Sequence, residues 1–177
     1  MPASTNKKQE RLIDVVIASA DRILSAEGFS QSDRGEWQRK SDWKIEEVDL
    51  RIRGMQGSRL QPAFRVAIPR SEITAVGDTY RYIAEAKLPQ IVDPASKPTA
   101  QIVIPRFSFQ ADRFVKTITS DIEQSLNWFN QFRTPQLCKE NLDKFIKPGC
   151  PAFLDAEKVL THFQSSANDS TLGANEK

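Results

Sequence analysis

The segment GDTYRYIAEAK, which closes at Lys87, carries Asp78, Glu85 and Lys87. Strand side chains alternate with period two, so Glu85 and Lys87 share a face if this stretch is extended. A carboxylate and an ammonium placed in that way could flank a divalent metal and a scissile phosphate. Asp78 would serve as an upstream carboxylate, and Glu46, Glu47 or Asp49 could supply another. The same residues read equally as a solvated salt-bridge ladder on an outward strand face, since so short a pattern recurs by chance.

A second chemistry lies in the charge run before it. From Arg51 to Arg70 there are five arginines and no acidic residue. Arg51, Arg53, Arg59 and Arg65 could present guanidinium forks from one sheet face, suited to phosphate or carboxylate. Glu46, Glu47, Asp49, Glu72 and Asp78 flank the run and could pair with it across strands. An arginine-bearing face also suits a protein partner, because arginine is enriched at interfaces. Trp128, in SLNWFNQF, points about 100° away from Phe129 on a helix and so covers a seam or anchors an interface.

The remaining reactive side chains are few. His162 is the single histidine. It stands near the end of the last predicted helix, where an imidazole favours the dipole and meets solvent. Cys138 and Cys150 lie twelve positions apart, without metal-ligand spacing, and read as free thiols. No phosphate loop, dinucleotide fingerprint or nucleophile elbow occurs, so the expectation is a chain without cofactor or metal.

The acidic–x–lysine spacing of Glu85 and Lys87 resembles the core of the restriction-endonuclease-like nucleases. That family implies a helix crossing to a further strand after the lysine, whereas Pro89 and a proline-bearing loop follow here.

The residues must be positioned by a chain of 177 residues, enough to bury a core without a disulfide or metal staple. A formal net charge of +2 is too weak to imply nucleic acid or a membrane surface by itself. No apolar run approaches the roughly 20 residues that cross a bilayer. Arg11, Asp14, Asp21 and Arg22 interrupt the N-terminal apolar stretch, which reads as a soluble helix of a cytoplasmic protein rather than a leader.

Leu12, Ile13, Val16, Ile17, Ala20, Ile23 and Leu24 recur at three- and four-residue intervals, which predicts a helix from about Lys7 to Glu27. Gly28 should end it, with Phe29 folding back. Five short runs follow: WQR, WKIEEVDLRIR, AFRVAIP, DTYRYIAEAKL and AQIVIPRFSF. They alternate in part and are separated by turn chemistry, as half-buried antiparallel strands do. Period two places Val48, Leu50 and Ile52 inward, with Asp49, Arg51 and Arg53 outward. It likewise places Phe64, Val66 and Ile68 inward, with Arg65 outward. RKSD should turn between strands that bring Trp37 and Trp43 together. A bulge at Glu46–Glu47 would reset the alternation. Pro62, Pro69, Pro89 and Pro105 belong at strand ends, edges or loops.

Helical spacing returns from about Ala111 through Phe114, Ile118, Ile122, Leu126 and Phe129. TPQLCKENLDKFIKPG opens with Thr134 as N-cap and Pro135 at the first helical position. PAFLDAEKVLTHF supplies a last short helix. The expected fold class is α+β: an N-terminal helix, a four- to five-stranded mainly antiparallel sheet, and two to three C-terminal helices on one face. Residues 1–6 should be flexible, 7–164 one domain, and 165–177 a disordered polar tail.

Gly28-Phe29, Trp37 and SLNWFNQFRTPQLCKENL together resemble a bacterial family of small uncharacterised α+β domains. The resemblance implies architecture and a non-enzymatic default, with accessory or immunity-type proteins of bacterial conflict systems as the analogy. The function expected is therefore a non-catalytic protein-binding module. The alternatives are a nucleic-acid-binding subunit using the arginine face and a metal-dependent nuclease at Asp78, Glu85 and Lys87. No membrane partner is expected.

Overall fold

A computed structural model describes residues 7–53, 59–71, 80–97, 101–105 and 108–172. Its fold is α+β, with an N-terminal helix, an antiparallel sheet and C-terminal helices. Five strands follow one another in chain order across the sheet, β1 (Ser30–Asp33), β2 (Glu36–Lys40), β3 (Ile45–Arg53), β4 (Arg59–Pro69) and β5 (Tyr80–Lys87). A sixth, β6 (Ile102–Val103), pairs with the start of β4 through Arg59↔Val103 and Leu60↔Ile102.

The chain divides into two compact units, each drawn from three segments. The first comprises Met1–Arg39, Glu47–Phe64 and Ala86–Trp128. Its first element, α1 (Lys7–Ala26), buries Leu12, Ile13, Val16, Ala20 and Leu24, the stripe that the spacing predicts. The helix ends as expected. Gly28 takes φ +82°, its N–H donates to Ser25 O, and the Phe29 N–H donates to Leu24 O at 3.0 Å. That pair of bonds is a Schellman cap, and Phe29 is buried behind it. Arg39 reinforces the cap by stacking on the Phe29 ring and donating to Glu27 O at 2.7 Å.

In the same unit β1 and β2 form a hairpin across Arg34–Gly35, with Gly35 at φ +79°. The Leu50 N–H donates to Gly35 O at 2.7 Å, so the turn lies directly on β3. A register shift falls between Gln31 and Asp33. β1 was not foreseen. All four of its residues are exposed and polar, so it offers no apolar alternation, and Ser30 and Ser32 hydroxyls donate instead to β2 carbonyls. Trp37 is fully buried and its indole N–H donates to Asp21 Oδ1 at 2.8 Å. The stretch after β5, expected to be loop, begins with the short helix α2 (Leu88–Val92), which buries Leu88. It and α1 both lie against α3 (Ala111–Ser125), which buries Ile118 and Ile122.

The second unit comprises Lys40–Glu46, Arg65–Glu85 and Phe129–Lys177. The β2–β3 turn spans Ser41–Lys44, closed by the Ser41 N–H on Lys44 O at 2.9 Å. Trp43 therefore sits in the turn and not on a strand as expected, because β2 runs on through Lys40. The helical stripe continues into a 3-10 segment, Leu126–Phe132, where the interval between Phe129 and Phe132 shortens to three residues. Both rings are buried, as three residues per turn requires. Thr134 caps α4 (Pro135–Asn141) by accepting the Leu137 N–H at 3.2 Å, with Pro135 opening the helix. Gly149 takes φ +77° ahead of α5 (Pro151–Leu172), which lies against α4.

α5 runs well past the short helix expected, into the residues read as tail. Propagating a nucleated helix costs little, so polar residues of indifferent propensity can extend it. Pro62 lies inside β4. The β6 ladder stops at Leu60, two residues short of it.

Candidate functional site

The burial along β3 and β4 corrects the face assignments made from alternation. Asp49, expected outward, is 2% exposed, whereas Ile52, expected inward, is 41% exposed. Every residue of β3 from Ile45 to Leu50 is buried, and so are residues 62–68 of β4. When both sides of a strand are covered, period two no longer separates core from solvent. Charge on such strands must then be paired. The Asp49 carboxylate takes the Arg51 Nε–H, and Glu47 accepts from Gln38 at 3.4 Å.

The arginines expected to form one open face are consequently unlike one another. Arg51 is half-buried on Asp49. The Arg53 side chain lies outside the described residues. Arg59 is exposed on β4 and donates to Gln101 Oε1 at 3.2 Å. Arg65, expected outward, is 3% exposed and donates its Nε–H to Glu85 Oε2 at 2.6 Å. Trp128 is half-buried.

Arg65 and Glu85 lead to the arrangement that alternation alone did not reveal. Along β5 the exposure runs through Tyr80 and Tyr82, and resumes at Glu85 after the buried pair Ile83–Ala84. The phase slips by one residue there. Tyr82 and Glu85 thereby both meet Arg65, whose guanidinium carbon lies 5.7 Å from the Tyr82 ring centroid. A buried arginine held between a carboxylate and an aromatic ring fixes the positions of both. The Tyr82 ring is 55% exposed and Tyr80 is 36% exposed. Within this unit the strand thus displays two tyrosines, one backed by an immobilised guanidinium. The signal in the sequence was Tyr-Arg-Tyr, aromatics two residues apart on a strand. Between them, Arg81 turns to Asp155 of α5, which also takes the Ser71 hydroxyl.

Of the acidic–x–lysine triad, Glu85 and Lys87 are among the described residues. Asp78 lies outside the described residues. Glu85 is committed to Arg65, which neutralises the charge a metal would need. Lys87 ends β5 at the N-terminus of α2, where its backbone N–H donates to Gln90 Oε1 at 3.4 Å. Among the described residues no group of three or more His, Cys, Asp or Glu side chains is disposed to hold a metal ion.

A second polar cluster, at the β2–β3 turn, was also unforeseen. Lys44 is buried and its ammonium donates to Glu46 Oε1 and to Phe132 O, each at 2.5 Å. It also lies 5.1 Å from the Trp43 ring centroid. Burial pushes the nearby Cys138 thiol up to about 12, an effect the Lys44 charge partly offsets. Cys138 is a buried free thiol and Cys150 a half-buried one. His162 is exposed and meets Phe163 edge-on, mid-helix instead of near the helix end, because α5 continues to Leu172.

The fold and its side chains define an α+β protein with an antiparallel sheet and, among the described residues, no helix long and apolar enough to cross a membrane. Compared with protein-family models, curated proteins and solved structures, the chain matches none.

Proposed function

We propose that the chain is a non-catalytic protein-binding module acting in the cytoplasm, of the accessory or immunity type found in bacterial conflict systems. The observation that carries the binding reading is the pair of exposed tyrosines on β5, with Tyr82 backed by Arg65 and Glu85. Tyrosine and arginine are enriched at interfaces because a rigid, amphipathic ring gives large contact area at low entropic cost. Holding the ring in place beforehand lowers the cost of binding further. The accessory or immunity reading rests on the resemblance carried by Gly28-Phe29, Trp37 and SLNWFNQFRTPQLCKENL.

The test is a photo-cross-linking residue at position 82 in the producing cell, with Lys158, an exposed residue of α5, as the control position. A single adduct of defined mass from position 82, absent from position 158, is expected. Equal, diffuse labelling from both positions would remove the basis for the reading.

A nucleic-acid-binding reading retains one favourable observation, the exposed Arg59. It loses Arg65, which is buried and paired with Glu85. Phosphate binding would fall steeply with salt as counterions are released. A flat or absent binding curve for both DNA and RNA would exclude it.

A further inference from the structure

We draw no further inference here: the strongest candidate, the buried Lys44–Glu46 cluster beside Cys138 at the β2–β3 turn, carries nothing because its ammonium and carboxylate satisfy each other and Cys138 is a lone cysteine with no second feature that points to a ligand.

Discussion

Lys44→Met should be among the most damaging single substitutions in the second unit. The Lys44 side chain is 10% exposed and the Glu46 side chain 3% exposed, so neither has much water to fall back on. Methionine keeps the apolar stem but removes the ammonium's bonds to the Glu46 carboxylate and to the Phe132 carbonyl. Orphaning one member of a buried ion pair costs about 3–5 kcal/mol. The lost bond to the Phe132 carbonyl adds on the order of 1 kcal/mol. A single chain of this kind is stable by roughly 5–15 kcal/mol, so the loss is a large fraction of the total. With a urea slope of about 2 kcal/mol per molar, the midpoint should fall by roughly 2–3 M.

The companion variant Lys44→Met/Glu46→Leu separates this mechanism from simple crowding. It removes both charges, loses chiefly the bond to the Phe132 carbonyl, and should lie within about 1–2 kcal/mol of the parent. The double variant is therefore expected to be more stable than the Lys44→Met single. Equilibrium urea unfolding followed by far-UV ellipticity and by tryptophan emission measures both, and coincident curves license one midpoint. A double variant as unstable as the two singles added together would refute the reasoning, because the charges would then be acting independently.

Three further outcomes are expected. Gly28→Ala should destabilise by about 1 kcal/mol, because Gly28 sits at φ +82° and an added Cβ meets only Arg39 at an ordinary 3.7 Å; thermal melting with no measurable shift would contradict the Schellman assignment. Thr134→Ala should likewise cost about 1 kcal/mol through loss of the Leu137 N–H acceptor, with Thr134→Ser close to the parent. The third concerns alkaline pH. Burial holds the folded Cys138 thiol up to about 12 against an ordinary 9.0, so above pH 9 only the unfolded chain sheds this proton. Stability from this group should thus fall as pH rises from about 9 towards 12, by up to about 1.4 kcal/mol per unit. Cys138→Val should flatten that stretch of the stability–pH curve, and an unchanged slope would show that another group is responsible.

Local chemistry was legible in the sequence wherever a feature depends on near neighbours. Gly28-Phe29 specified the end of α1, and Thr134-Pro135 specified the start of α4, since caps are satisfied within a few residues of backbone. The apolar stripe of α1 was equally legible, because one turn of a helix fixes which side chains share a face. The α+β class followed from helix-spaced and strand-spaced runs being segregated along the chain.

Burial of charge was decided by tertiary structure alone. Arg65, Asp49, Glu46 and Lys44 have the composition of solvated strand and turn residues, yet all four are buried. Each is paired in the interior with an opposite charge: Glu85 for Arg65, Arg51 for Asp49, and Lys44 and Glu46 for each other. Two of these pairs join close neighbours, but nothing in a residue's type says that water is excluded around it. Glu85 lies twenty residues from Arg65, and the Phe132 carbonyl lies 88 residues from Lys44. Such pairings appear only when the strands and the C-terminal segment are brought together. The sequence alone determined where α1 stops, where α4 starts and which stripe of α1 is buried, because those are settled by local geometry. That Arg65 is buried against Glu85 instead of facing outward depended on what covers β4.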